Sequence, residues 1–270
     1  MQEGLTLSRA LVLGAVQGFT EFLPISSSGH LVLFQRWLGL RGPELAFDIL
    51  LHLATLAAIV GVFRRPLVRL LRGAVAWTCG RRDGEALGQA RLVGLLAAGT
   101  LPAALGGFFF QEAIEGAFSS PRLVGLFLLV TGGFLFLTRR RSGGRAEEAL
   151  GWRDALLIGL AQAAAILPGI SRSGATICAG LALGLRPELS ARFSFFLAIP
   201  AILGAGALRA GELLGGNPAA AGVSLAGALV AGAVGYGALR LLLRMLRGAR
   251  LGAFAYYCWA VGLLALLGPA

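Results

Sequence analysis

Chemically capable side chains interrupt the first long apolar stretch of the sequence. Gln17 and Glu21 are four residues apart and therefore share one face of a helix. Ser26 and Ser27 precede His30 by four and three residues. A carboxylate, a hydroxyl and an imidazole can supply a metal ligand or base, a nucleophile and an acid. The alternative, which these residues alone leave open, is that Ser and His satisfy backbone groups at a helix break.

A second polar cluster, in the other half of the chain, supplies positive charge. Its sequence is PGISRSGAT, with Ser171, Arg172, Ser173, Gly174 and Thr176. An arginine flanked by hydroxyls, in a glycine-containing turn that opens a helix, is suited to hold a phosphate group, because backbone N–H groups and the guanidinium converge on one anion. The alternative is that Arg172 pairs with Glu21 as a buried structural bridge.

The composition predicts that a membrane surrounds these clusters. Of the 270 residues, 57% are hydrophobic and only 14% are charged, whereas soluble domains usually have about a quarter charged residues. A spanning helix needs about 20 predominantly apolar residues. The apolar runs that meet this requirement are 45–63, 92–111, 122–138, 190–208, 221–239 and 252–268. Asp48 and His52, four apart in the first run, are expected to pack or hydrogen-bond between helices rather than line a cavity.

The basic residues point to membrane orientation rather than to nucleic acid. The net charge is +11, and all 24 basic residues are arginine. Four loops hold 18 of the 24, at positions 64, 65, 69, 72, 81, 82, 91, 139, 140, 141, 145, 153, 186, 192, 240, 244, 247 and 250. Cytoplasmic loops of membrane proteins carry such an excess. We therefore expect no nucleic-acid partner, a cytoplasmic position for these loops, and a surface-lying basic amphipathic segment at 64–73.

Two apolar stretches, 7–38 and 152–186, are broken in the middle by Pro, Ser and Gly. Each is predicted to be a re-entrant helix pair, covered by protein or a watery cavity. The segments GAVQGFTEFLPISSSG and GLAQAAAILPGISRSG also resemble each other, and three spans follow each of them. The predicted fold is therefore an all-α polytopic membrane protein made of two inverted repeats, 1–138 and 152–270, with a cytoplasmic linker at 139–151.

The motifs QGFTEFLPISSSGH (17–30) and PGISRSGAT (168–176) resemble the two signature motifs of the undecaprenyl-diphosphate phosphatases, the bacitracin-resistance membrane phosphatases. The resemblance extends over the full chain in length, span number and motif placement. It implies removal of one phosphate from an isoprenyl diphosphate, which gives the monophosphate carrier that is reused in cell-wall synthesis. It also implies dependence on a divalent cation, Mg²⁺ or Ca²⁺, and no organic cofactor is expected.

The resemblance assigns roles to individual positions. The family's acidic pair falls on Gln17 and Glu21, which become the expected metal site, although some members carry Glu where this chain has Gln17. The expected catalytic residues are Glu21, Ser27, His30 and Arg172. The expected phosphate-binding residues are Gln17, Ser26, Ser171, Ser173, Gly174 and Thr176. Ser27 is the candidate nucleophile with His30 as base and later acid; attack by His30 itself or by a metal-bound water stays open.

Location and partners follow from the same resemblance. We expect a multi-pass protein of the bacterial cytoplasmic membrane, with its site opening to the outer side and with a lipid diphosphate and membrane lipids as its partners. The sequence leaves a homodimer open. An alternative function is a transporter or flippase of the lipid monophosphate, because inverted repeats with broken helices are also the architecture of alternating-access carriers.

Overall fold

The computed structural model describes residues 5–40, 45–140, 143–211, 221–246 and 251–268. Within these ranges it contains twelve α-helices and no β-strand. The helices are α1 Leu7–Phe22, α2 Ser27–Trp37, α3 Leu45–Val62, α4 Arg64–Thr78, α5 Gly84–Phe109, α6 Gln111–Phe118, α7 Pro121–Thr138, α8 Trp152–Ala164, α9 Arg172–Ala182, α10 Pro187–Leu208, α11 Ala221–Leu246 and α12 Gly252–Leu267. Arg141, Arg247 and Arg250, which the orientation argument used, lie outside the described ranges.

All six predicted apolar runs coincide with helices, and four of these are long and apolar enough to cross a membrane. These four are α5, α7, α10 and α11. Helix α3 meets the same requirement only together with α4, which is bent from it by 82°, and α12 is a shorter apolar helix. The prediction of a polytopic all-α membrane protein is therefore confirmed, with four helices of spanning length, or five if the bent pair counts as one span.

The two broken stretches each consist of a helix, an irregular break and a second helix. In the first, α1 ends at Phe22 and α2 begins at Ser27; in the second, α8 ends at Ala164 and α9 begins at Arg172. Both second helices begin in the same way, because the N-cap serine accepts a hydrogen bond from a glycine N–H: Ser26 from Gly29, and Ser171 from Gly174. These bonds satisfy backbone donors that a helix start leaves free.

Three helix pairs approach so closely that only glycine fits between them. A Cβ on Gly14 of α1 would lie 2.2 Å from the carbonyl oxygen of Gly227 in α11. A Cβ on Gly159 of α8 would lie 2.3 Å from the carbonyl oxygen of Gly99 in α5. Helices α7 and α12 meet in the same manner through Gly125 and Gly262. Small residues allow this close approach of helices in lipid, where apolar burial gives little driving force.

Substituting Gly14 by alanine is expected to lower the unfolding temperature of the detergent-solubilised protein, because α1 and α11 must separate to admit a methyl group. Overpacking of this kind costs about 1–3 kcal/mol. The matched control is Gly133→Ala in α7, where a Cβ meets nothing within 4 Å. This control should stabilise slightly, because alanine loses less backbone freedom on folding than glycine. Equal unfolding temperatures for the two variants would contradict the close contact.

An ion pair between Arg145 and Asp154 helps to fix the segment before α8. The Arg145 guanidinium donates to both carboxylate oxygens of Asp154, at 3.2 and 2.7 Å, and to the carbonyl oxygen of Leu183. Burial alone would raise the pKa of the Asp154 carboxyl. Arg145 and the N–H of Gly151 together lower that pKa by more than burial raises it, so it lies below the ordinary value. This contact holds the start of α8 against the end of α9 and so helps to place the second break.

Candidate active site

Glu21 is the centre of the candidate site. Its carboxylate is buried and forms an ion pair with Arg172. The Ser27 hydroxyl donates to Glu21 Oε2 at 2.6 Å, and the Gln17 amide donates to the same oxygen at 3.1 Å. The structure therefore brings together four of the predicted site residues, which come from α1, α2 and α9. Because Arg172 belongs to the second broken stretch and the other three to the first, the site forms where the two stretches meet.

His52 also faces this carboxylate. Its Nε2 atom lies 3.7 Å from Glu21 Oε2, and its Nδ1 atom lies 2.8 Å from the carbonyl oxygen of Asp48. The Asp48 side chain accepts a hydrogen bond from Gln35 of α2 at 2.7 Å. The predicted hydrogen bonding between helices is thus present at Asp48, whereas His52 lies at the rim of the site, where sequence reasoning did not place it.

Two buried polar atoms at this site have no hydrogen-bond partner within the described residues. They are Arg172 Nη1 and Gln17 Oε1. A buried donor or acceptor without a partner costs about 1–3 kcal/mol, so such atoms are suited to bind a water, an ion or a ligand. The arginine offers a free cationic donor, and the amide offers a free neutral oxygen. Their chemistry suits an anion and a hard cation respectively.

The two breaks hold each other in place. Ser26 Oγ accepts from the N–H of Gly169 at 3.1 Å, across the two breaks, and Ser173 Oγ donates to the carbonyl oxygen of Leu23 at 3.3 Å. Ser26 has a φ of 70° and is the only described non-glycine residue with a positive φ. Backbone strain of this kind occurs where surrounding contacts fix the conformation, often at functional sites. Ser26 and Ser173 thus hydrogen-bond backbone groups of the opposite break and hold the two breaks together.

Thr131 of α7 anchors the second break. Its hydroxyl donates to the carbonyl oxygen of Gly169 at 2.8 Å and accepts from the N–H of Ser171 at 3.1 Å. Gly169 itself has a φ of 103°, and a Cβ there would lie 2.4 Å from the carbonyl oxygen of Val124. Only glycine fits both requirements. Sequence reasoning missed Thr131, because a single threonine in an apolar helix carries no distinguishing signal.

The Thr176 hydroxyl is engaged within α9. It donates to the carbonyl oxygen of Arg172 at 2.7 Å and lies 2.5 Å from Ser194 Oγ. Because a hydroxyl has one hydrogen, Ser194 is the donor of this second bond. Thr176 is fully buried. It therefore supports the turn that carries Arg172, while its predicted phosphate contact stays a prediction.

His30 lies beside the cluster with both ring nitrogens engaged. Nδ1 is 2.7 Å from the carbonyl oxygen of Ser26, and Nε2 is 2.8 Å from the hydroxyl of Tyr257 in α12. The hydrogen-bond acceptor of Ser27 is Glu21. The role of His30 as the base for Ser27 stays a prediction.

A divalent cation fits the oxygen donors that are present. Mg²⁺ is typically held by one or two carboxylates, with waters and substrate phosphates completing its shell. Glu21 supplies one carboxylate, and Gln17 Oε1 is a free neutral oxygen. No group of three His, Cys, Asp or Glu side chains occurs in the part of the chain that the structure describes. Most of the ligands of such an ion would therefore come from substrate and water.

Comparison with known proteins agrees with the motifs. A model of the family described as bacitracin resistance protein BacA matches residues 10–264. A protein of Methanosphaera stadtmanae, named undecaprenyl-diphosphatase, is 40% identical over 272 residues, which cover 97% of this chain and 98% of that protein. A protein of the same name from Desulfosudis oleivorans is 46% identical, over 94% of this chain and 95% of that protein. Another, from Rubrobacter xylanophilus, is 47% identical, over 96% of this chain and 97% of that protein. This chain belongs to the bacitracin resistance protein BacA family.

Proposed function

We propose that this chain is an integral membrane phosphatase that hydrolyses undecaprenyl diphosphate to the monophosphate and inorganic phosphate. The observation that carries the proposal is the Arg172 guanidinium, which is paired with Glu21 through one nitrogen, while its other terminal nitrogen, Nη1, is buried without a partner among the residues that the structure describes. That nitrogen is a donor for a phosphoryl oxygen. The names of the related proteins support the same substrate.

The residues around Glu21 suit phosphoryl transfer, in which positioning and electrostatic stabilisation supply most of the catalysis. In the proposed reaction, Arg172 holds the terminal phosphoryl group and Ser27 Oγ forms the new bond to phosphorus. The serine proton passes to Glu21, its hydrogen-bond acceptor, and the bridging P–O bond breaks to release the lipid monophosphate. Water then cleaves the phosphoserine, releases inorganic phosphate and restores the hydroxyl.

Further groups belong to the same proposal. A divalent cation, Mg²⁺ or Ca²⁺, would be held near Glu21 and Gln17 and would neutralise charge on the diphosphate. The N–H group of Ser173, at the start of α9, would bind a phosphoryl oxygen, whereas the N–H of Gly174 already donates to the N-cap hydroxyl of Ser171. Ser26, Ser171 and Thr176 would keep the two turns in place. His30 would act as a base and accept a proton at Nε2 during one of the two steps.

We further propose that the chain is an inverted repeat with halves 1–138 and 152–270, a cytoplasmic linker at 139–151, and a re-entrant helix pair in each half. The packing partners support this arrangement, because α1 of the first half packs on α11 of the second, while its counterpart α8 packs on α5 of the first. Each of these contacts is a glycine pair. In the proposed repeat α8 corresponds to α1 and α5 corresponds to α11, so the contact between α8 and α5 is the counterpart of the contact between α1 and α11.

The proposed location is the bacterial cytoplasmic membrane, with the site opening to the outer side. The loop arginines support this orientation, because positively charged loops face the cytoplasm. A homodimer is compatible with this placement. Helix α4 carries arginines and is bent 82° from α3, which supports its proposed position along the inner surface.

Phosphate release tests the proposal directly. Purified protein in detergent is given undecaprenyl diphosphate and assayed before chelation, with EDTA, and after adding back Mg²⁺ or Ca²⁺. We expect release that stops on chelation and returns with the cation. Release that is indifferent to EDTA would contradict the cation, and a fully active Ser27→Ala variant would contradict the serine as nucleophile. No release from a folded, monodisperse sample would overturn the phosphatase; movement of labelled lipid monophosphate across liposomes would then indicate a carrier.

A further inference from the structure

Tyr257 contacts His30 from the opposite end of the sequence. Its hydroxyl lies 2.8 Å from His30 Nε2, and the two rings are stacked with centroids 5.6 Å apart and planes 7° from parallel. The two residues are separated by 227 positions. Neither the phosphoryl-transfer steps proposed above nor the sequence motifs use this tyrosine.

The hydrogen bonds determine which nitrogen of His30 carries the proton. The carbonyl oxygen of Ser26 can only accept, so Nδ1, at 2.7 Å from it, carries a hydrogen. In a neutral imidazole the other nitrogen is then an acceptor, and the Tyr257 hydroxyl donates to it. His30 is thus held as the tautomer with an unprotonated Nε2, whose electron pair accepts the Tyr257 hydroxyl, and the parallel rings fix the plane of that electron pair.

The helix that carries Tyr257 is itself firmly placed. Gly262 of α12 meets Gly125 of α7 at backbone contact distance, and the Trp259 indole donates to the carbonyl oxygen of Leu129 at 3.1 Å. The neighbouring Cys258 is buried and contacts the carbonyl oxygen of Pro24 in the first break. Helix α12 therefore has a fixed position relative to both α7 and the first break, and the tyrosine hydroxyl has little freedom to move away from His30.

Tyr257 remains reachable although His30 is buried. The exposed fraction of Tyr257 is 43%, whereas that of His30 is 2%.

We infer that Tyr257 is a positioning residue for the reaction: together with the Ser26 carbonyl it holds the tautomer of His30, and it fixes the ring plane, so that Nε2 is the atom that accepts a proton during turnover. The inference rests on the proposed function, because it assumes that His30 takes part in phosphoryl transfer. It adds a residue of α12 to a site otherwise composed of α1, α2, α3 and α9.

The test compares Tyr257→Phe with Tyr256→Phe. Tyr256 is the matched control, because it is adjacent, exposed, and contacts the rings of Phe136 and Trp259 instead of His30. We expect Tyr257→Phe to lower kcat about tenfold, the value of one hydrogen bond, while KM stays within about twofold. Tyr256→Phe should leave both constants unchanged. A loss of binding or of folding would raise KM or lower the yield of active protein instead.

A second readout does not depend on activity. The chain has two histidines, so protein labelled with ¹⁵N-histidine gives two sets of imidazole signals, and His30→Gln identifies those of His30. Loss of the tyrosine donor should move the Nε2 signal of His30 downfield in Tyr257→Phe and leave it in place in Tyr256→Phe. An unmoved signal, or an unchanged kcat, overturns the inference. If the unaltered protein releases no phosphate, the proposed function fails and with it the catalytic role of Tyr257, while the ¹⁵N signals still report whether the contact exists.

Discussion

Replacing Arg172 by alanine is expected to lower kcat/KM for isoprenyl diphosphate by at least about a thousandfold, the range found for arginines that stabilise a transferring phosphoryl group. The change removes the unpartnered Nη1 donor and leaves the Glu21 carboxylate buried without its cation. Both losses act at the centre of the site. Steady-state phosphate release from detergent-solubilised protein measures the effect.

The control for this prediction is Arg192→Ala. Arg192 also pairs with a glutamate, Glu147, but away from the site, so its loss should leave kcat/KM unchanged. Arg172→Lys should recover only part of the activity, because an ammonium is a point charge and cannot hold a carboxylate and a phosphate in two fixed directions. An Arg172→Ala variant as active as Arg192→Ala would contradict the proposed phosphate site.

Replacing Glu21 by glutamine is expected to lower kcat by about 10²–10⁴-fold, the usual contribution of a positioned acid or base. The substitution keeps the shape of the side chain but removes the negative charge that faces Arg172, Ser27 and His52. The remaining activity should also lose its response to added Mg²⁺, because the carboxylate that contacts Gln17 is gone. Titrating phosphate release with Mg²⁺ measures both effects, and Glu147→Gln is the matched control.

A double variant separates catalysis from a purely structural ion pair. Removing one partner of a buried pair costs about 3–5 kcal/mol, whereas replacing both partners by uncharged residues of similar size is often neutral. Glu21→Gln combined with Arg172→Met should therefore unfold near the temperature of the unaltered protein and yet release no phosphate. Recovery of both stability and activity in the double variant would mean that the pair serves the fold alone.

The sequence was sufficient to predict the helices and the convergence of the two polar clusters. Apolar runs of spanning length have few other structures available to them, so all six coincided with helices. The meeting of Glu21 with Arg172 followed from charge, since two opposite charges in an otherwise apolar chain stabilise each other by pairing. The glycine-containing turn around Arg172 was likewise expected to open a helix, and α9 begins there.

The supporting residues could not be predicted in the same way. Tyr257, Thr131 and Ser194 are common residue types in apolar helices, and their importance arises only from helix packing that brings distant positions together. His52 was expected to pack or hydrogen-bond between helices; its Nδ1 instead contacts the carbonyl oxygen of Asp48 in its own helix, and its Nε2 faces Glu21. Span number was also overestimated by length and composition, because α3 turns sharply into α4 and α12 is short.

The bond between Gly169 N–H and Ser26 Oγ has a consequence for biosynthesis. Its two ends are 143 residues apart, and ribosomes add about 5–20 residues per second. Ser26 is therefore added to the chain on the order of ten seconds before its partner is synthesised. During this interval the first break lacks the contact that helps to hold the left-handed backbone of Ser26, so a nascent chain in the membrane has no completed reaction centre until its second half has been inserted.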